Sequence, residues 1–264
     1  MAKEPLQQSE VSSDKEFPPT VLIFDTPEEV DQYAVTQIID QVQSKPDSVL
    51  TLPTGSTPSG MYRELVRAYS EDHVDFSHAT AFNLDEYWPI RRDHPSSYNY
   101  YMLSNLFNFV NIPPDHRFIP NGESPDPTAE AGRYELLLQQ YGPVDLAVLG
   151  IGPGTTAHIG FNEQGSRVDS RTRYMPLDEQ TKTANSAFFN SPQEVPTGSI
   201  TQGVADILDS RRILLLAKGE GKAWGINRAL NGAISSDAPA SFLRLHPNVT
   251  FVLDKAAAKM LATG

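Results

Sequence analysis

Short, almost uniformly apolar runs alternate along the chain with longer stretches in which apolar positions recur every three or four residues. Residues 21–24 (VLIF), 49–52 (VLTL), 79–84, 144–149 (VDLAVL), 213–217 (ILLLA) and 249–253 (VTFVL) have the length and composition of buried strands. Residues 27–43, 58–69, 98–109, 127–141, about 220–230 and 255–261 read as helices. Thr57 is a candidate N-cap, with Pro58 in the first turn behind it. Strands apolar on both faces need cover on both, which a parallel sheet between two helical layers provides. The pattern predicts an α/β fold, a Rossmann-like three-layer sandwich with a mostly parallel sheet and helices on both faces. Residues 111–127 read as a surface connection. With no internal repeat and no break in composition, residues 20–264 are expected to form a single domain. The polar stretch 1–19 (MAKEPLQQSEVSSDKEFPP) is expected to be a disordered tail.

Composition narrows the partners. The 264 residues, 39% of them hydrophobic, suffice for one substantial core. Against 33 Asp and Glu stand 21 Lys and Arg, a net charge of -12. An acidic surface repels nucleic acid and anionic lipid, so neither is an expected partner. Any anion must be held locally, by backbone amides and a few placed cations. The chain has no Cys, which removes thiolate chemistry and Cys-ligated metals. No run approaches the ~20 apolar residues of a membrane span, and residues 1–19 lack the apolar stretch of a signal peptide. Cytoplasmic residence is the expectation, and a homo-oligomer is left open.

In an open parallel sheet, ligands sit beyond the carboxyl ends of the strands, so the polar residues after the apolar runs are the candidates. The first group is LPTGSTP, residues 52–58. Gly55 permits a sharp turn, Ser56 and Thr57 carry hydroxyls, and a helix start offers N–H groups to an anion; the same features also describe an ordinary strand-to-helix turn. The second is FNLDEYW, residues 82–88, where Asp85 and Glu86 follow a strand among aromatics. A carboxylate so placed is a candidate general base, or a plain surface turn. The third runs from Gly150 through GIGPG to His158, with Glu163 five residues on. It could hold an oriented catalytic imidazole, whereas its glycine spacing does not fit a dinucleotide loop. The fourth is AKGEGK, residues 217–222, in which Lys222 could reach a phosphate or simply be solvated.

In this order and spacing, these elements resemble the glucosamine-6-phosphate deaminase/isomerase family, related to the 6-phosphogluconolactonases. The resemblance is carried by LPTGSTP, FNLDEYW with HPSSY (residues 94–98), GIG…HIGFNE, SRTR (residues 170–173) and LRLHPNVTFVLD, and spans nearly all the chain beyond the tail. HIGFNE favours the deaminase branch. The resemblance implies chemistry without metal or cofactor on a small sugar phosphate: ring opening, proton transfer between C2 and C1, and release of ammonia to give fructose 6-phosphate. Matched by motif, Asp85 would be the enolising base and His158 the ring-opening acid/base. Glu163 would orient and charge-balance that His, while Gly55, Ser56, Thr57 and Lys222 would hold the phosphate.

Three departures qualify the resemblance. The family places an Asp two residues before the His; here Thr156 stands there, and the loop from Gly152 to His158 is two residues longer. An Arg expected to grip the phosphate is replaced by Ala187. Arg173 matches one basic residue of the allosteric site known in some members, but Met175 replaces a Lys, so amino-sugar activation is not expected. A divergent isomerase or lactonase, or a non-catalytic sugar-phosphate binder, stays open on sequence alone.

Overall fold

In the computed structural model, residues 15–152, 156–177, 182–183, 186, 189, 191 and 194–261 are described. Ten strands and six helices appear among them: β1 (Thr20–Phe24), α1 (Pro27–Ser44), β2 (Val49–Leu52), α2 (Ser59–Ser70), β3 (Thr80–Asn83), β4 (Asp85–Trp88), α3 (Tyr98–Met102), β5 (Arg117–Phe118), α4 (Pro127–Tyr141), β6 (Leu146–Gly150), β7 (Arg173–Pro176), β8 (Gly198–Thr201), α5 (Val204–Leu208), β9 (Ile213–Ala217), α6 (Ala223–Asn231) and β10 (Val249–Asp254). Seven strands form one sheet in the order β1-β10-β9-β6-β2-β3-β5. Every pairing within it is parallel.

Each strand of this sheet splits its side chains between two cores. Leu214 and Leu216 of β9, with Leu50, Leu52, Leu146 and Val148, meet α1, α2 and the wider turn Leu103–Phe107 that continues α3. Ile213, Leu215 and Ala217, with Ala147, Leu149 and Phe251, meet α4, α6 and the short 3-10 segment Pro239–Leu245. This is the three-layer α/β sandwich expected from the apolar runs. Helix starts follow the local chemistry. Thr26 and Glu29 close a capping box on α1, and Asp126 accepts from the Thr128 and Ala129 N–H groups of α4.

Strand order fixes where a ligand can sit. From β2 the chain moves outward to β3 and then β5; from β6 it moves the other way to β9 and β10. The loops leaving the adjacent strands β2 and β6 therefore diverge, opening a crevice at the carboxyl edge. Over that edge lies a second, three-stranded antiparallel sheet, β4-β8-β7, in which Asp85 pairs with Thr201 and Arg173 with Thr201 from the other side. Its apolar underside gathers Tyr87, Ile90, Phe161, Leu177, Phe189 and Val195.

Several expectations change in detail. The helix expected over 98–109 is α3 followed by the wider turn, and the one over 220–230 opens with a 3-10 turn, Glu220–Lys222, ahead of α6. Residues 255–261 form turns rather than a closing helix: Asp254 draws the Ala257 and Gly219 N–H groups to its carboxylate, and Leu261 bonds only three residues back. Of the expected tail, residues 1–14 lie outside the described residues. Phe17 N–H donates to the Arg244 carbonyl at 2.7 Å, and Arg244 Nε donates to Glu16 at 2.8 Å.

Tyr134 of α4 anchors the strand end that leads into β4. Fully buried, its hydroxyl donates to the carbonyls of Asn83 (2.7 Å) and Phe118 (3.0 Å). Tyr134→Phe keeps the packing and takes one donor from each carbonyl, leaving Asn83 with that of Gln202. It is expected to lower unfolding free energy by about 1–2 kcal/mol in urea titrations, with the denaturant slope unchanged.

Candidate active site

A cavity of about 280 Å³ opens at the carboxyl edge, lined by Gly55, Ser56, Thr57, Leu84, Asp85, Tyr98, Gly150, Ile151, Gly152, His158, Gly160 and Lys222 among others. Six of the seven residues singled out from the sequence thus share one wall. The seventh, Glu163, stands behind His158 rather than on the cavity surface.

The β2–α2 loop is shaped by its backbone. Gly55 has φ +97, a left-handed conformation that glycine adopts without strain. Tyr62 and Tyr101 pin the loop by donating their hydroxyls to the carbonyls of Pro53 (2.5 Å) and Gly55 (2.7 Å). Thr57 is not the N-cap expected from sequence. Pro58 occupies that position and no side chain caps α2, which leaves first-turn amides for an anion. Lys222 reaches the cavity from the turn after β9, donating to the Ile151 carbonyl at 2.6 Å. Burial pushes its ammonium down to about 8.

Asp85 opens β4 and is almost fully buried. Loss of water raises its pKa well above the ordinary carboxylate range, and the neighbouring charge of Glu86 adds to the rise; a hydrogen bond from the Phe161 N–H opposes it. Tyr87, Tyr98 and Phe161 enclose the region, with ring centroids 4.9 to 6.0 Å apart. Gly160, at φ +55, passes so close that a β-carbon there would lie 3.2 Å from the Asp85 carboxylate.

His158 rests on Gly152, where an added β-carbon would fall 2.1 Å from the imidazole. The Gly152 N–H donates to the His158 carbonyl at 2.9 Å, closing the loop at its base. Nδ1 lies 2.7 Å from Thr156 Oγ1 and 3.3 Å from Glu163 Oε2. An ionised carboxylate only accepts, so this arrangement favours the proton on Nδ1 and leaves Nε2 as the free base. Thr156 therefore supplies a hydroxyl where the family resemblance placed a carboxylate, and Glu163 supplies the charge. Ala187 lies outside the described residues.

Sequence reasoning missed the residues that fix the distances. Asn162 donates to the carbonyls of Ile159 (2.9 Å) and Gln202 (2.8 Å) and accepts from Arg173 at 2.9 Å. Gln202 bonds through its side chain to Asn83 (3.0 Å) and through its backbone to Leu84 (2.8 Å). The His158 turn is thus tied to the strand that carries Asp85. Asn162 and Arg173 sat inside quoted motifs, but Gln202 carried no local signal. Arg173, expected as a remnant of a ligand site, points inward to Asn162 and Ser166.

Comparison with known proteins gives a consistent result. The family of glucosamine-6-phosphate isomerases and 6-phosphogluconolactonases matches residues 25–252. A glucosamine-6-phosphate deaminase of Halothermothrix orenii is 47% identical over 91% of this chain and 99% of its own length. One from Clostridium botulinum is 44% identical over 91% and 98%. The solved structure of a monomeric glucosamine-6-phosphate deaminase superposes with a TM-score of 0.88 at 43% identity, over 91% of this chain and 99% of that one. A 6-phosphogluconolactonase from Trypanosoma brucei shares the fold, with a TM-score of 0.74 at 22% identity over 93% and 100%. With the family model matched over most of its length and relatives 44–47% identical across nearly all of theirs, the chain belongs to the glucosamine-6-phosphate isomerase/6-phosphogluconolactonase family.

Proposed function

We propose that this protein is a glucosamine-6-phosphate deaminase, and that Asp85, His158, Glu163, Gly55, Ser56, Thr57 and Lys222 carry the reaction. The observation that supports it most is that a dry carboxylate, an oriented imidazole and an anion cradle with one cation line a single cavity. The relatives at 44–47% identity are named for the same activity, and this favours deamination over lactone hydrolysis.

The substrate phosphate lies against the Gly55–Thr57 amides and Lys222, which places the sugar ring toward Asp85 and His158. His158 Nε2 takes the proton of the C1 hydroxyl and returns it to the ring oxygen, so the ring opens to the aldehyde. The imidazolium formed in passing is balanced by Glu163. Asp85 then removes the C2 proton as O1 takes up a proton from water, giving an enolamine, and delivers the proton to C1; the double bond moves to C2 as an iminium, which releases the balancing proton to leave the imine. Water adds to C2 and ammonia leaves, giving fructose 6-phosphate. Desolvation makes Asp85 basic enough for carbon acid chemistry, and the cradle holds C2 beside it. Among the described residues no helix is long and apolar enough to cross a membrane. A small-molecule substrate met in the cytoplasm fits that finding.

Asp85→Asn keeps the shape but cannot accept the proton, and is expected to cut ammonia release by ~10²–10⁴ while leaving phosphate-dependent thermal stabilisation intact. Wild-type turnover in this variant overturns the assignment of the base.

Thr156→Asp places a second carboxylate on Nδ1. It is expected to raise kcat with little change in KM, because a better-stabilised imidazolium matters only during ring opening. An unchanged kcat shows that Glu163 alone suffices.

Lys222 is charged below about pH 8 and neutral above it. Since only the ammonium attracts phosphate, KM is expected to climb as pH rises through that value. Lys222→Met should remove the step and raise KM about ten- to a hundredfold at pH 7, as expected for loss of a charge-assisted contact. A KM flat from pH 6.5 to 9 in the wild type contradicts this role.

A further inference from the structure

Glu86 is as deeply buried as the catalytic carboxylate beside it, and the mechanism above does not use it. Successive residues of a strand point to opposite faces. Asp85 faces the substrate cavity, while Glu86 lines a second one of about 230 Å³ on the far side of β4, with Ile90, Arg92, Asn99, Asn121 and Arg133. Both of its oxygens accept hydrogen bonds from backbone N–H groups. Oε1 accepts from the N–H groups of Tyr98 (2.8 Å) and Tyr87 (2.9 Å), and Oε2 from that of Asn99 (2.8 Å). Tyr98 and Asn99 are the first two residues of α3, and Tyr98 is a wall of the substrate cavity.

We propose that Glu86 is a positioning residue for the base: its carboxylate clamps α3 to β4, so that Tyr98 walls the pocket, and it stands as the charged neighbour of Asp85. The inference rests on the deaminase reading for its kinetic consequences only. A neighbouring anion disfavours ionisation of Asp85, so one carboxylate serves both the geometry and the proton affinity of the next.

The groups around Glu86 set the pH at which that charge appears: it is about half present at neutrality and fully present above it. Burial pushes Glu86 up to about 7, and its three N–H donors hold it down against a larger rise. Arg92 and Arg133 share its cavity, and each faces an acid of its own: Arg133 is bonded to Glu130 at 2.6 and 2.7 Å, and Arg92 lies 3.7 Å from Glu123. Tyr87 and Tyr98, both raised by burial, stay neutral. Below about pH 7 Glu86 takes up a proton through its own cavity, its charge is lost, and Asp85 becomes a weaker base that ionises more readily.

The two effects separate in two variants. Glu86→Gln removes the charge, and Glu86→Asp keeps it but withdraws the carboxylate by one methylene from α3. Carboxyl ¹³C NMR titration of Asp85 is expected to show a second inflection near pH 7 in the wild type, from coupling to Glu86. In Glu86→Gln that inflection vanishes and the Asp85 midpoint drops by about one pH unit or more. The acidic limb of kcat/KM moves the same way. In Glu86→Asp the midpoint stays near that of the wild type while kcat falls about tenfold, since a base and wall out of place lose rate before binding. A single-step Asp85 titration in the wild type overturns the charge coupling, whether or not Glu86→Gln folds. Wild-type kcat in Glu86→Asp overturns the clamp. The titration needs no turnover, so a protein inactive on glucosamine 6-phosphate would defeat the proposed function and leave this inference to be decided by the NMR curves.

Discussion

A carboxylate stripped of water is unstable unless its surroundings are fixed, and that requirement at Asp85 organises much of the molecule. A mobile loop would let water in and return the group to ordinary acidity. Asp85 instead begins a strand that is hydrogen-bonded along its length to β8. Aromatic rings enclose it, and the Phe161 N–H touches it from the His158 turn. The small antiparallel sheet therefore acts as a rigid cap over the carboxyl edge, and its underside has a hydrophobic cluster of its own.

The parallel sheet supplies the complementary parts without long-range attraction. Four adjacent strands, β9, β6, β2 and β3, end at the same edge, and each delivers one element of the site. Lys222 follows β9, His158 follows β6, the Gly55 loop follows β2, and Asp85 follows β3 after a single intervening residue. Neighbouring strands lie about 4.8 Å apart, so the spacing between the Gly55 loop, Asp85 and His158 is a property of the sheet before any side chain is chosen. Against a net charge of -12, the start of α2 and the Lys222 ammonium line the same cavity.

The central strands and the residues at their ends were legible because a fully covered parallel strand is apolar at nearly every position, so its limits show in the sequence. Residues 49–52, 127–141 and 213–217 coincide with β2, α4 and β9. The small sheet left no such mark. Gly198–Thr201 is wholly buried yet reads GSIT: it is the central strand of the small sheet, paired on either side with β4 and β7, and only Ile200 is a large apolar residue. Asp85 and Glu86 look like an acidic turn, since two adjacent carboxylates on opposite faces of a buried strand have no period to betray them. The brace through Gln202 joins residues 119 positions apart, and no local pattern encodes such a contact. Glu163 lay within reach of a sequence argument, as it follows His158 by five residues inside one motif.

The bond from the Gly152 N–H to the His158 carbonyl has an evolutionary consequence. It pinches the chain at the foot of the loop, so the number of residues between the two ends does not set the orientation of the imidazole. Insertions and deletions can then accumulate in this stretch while the ring keeps its seat. Selection falls instead on Gly152, where even one methyl group would occupy the space the ring fills. Loop length is free to drift, and the glycine is not.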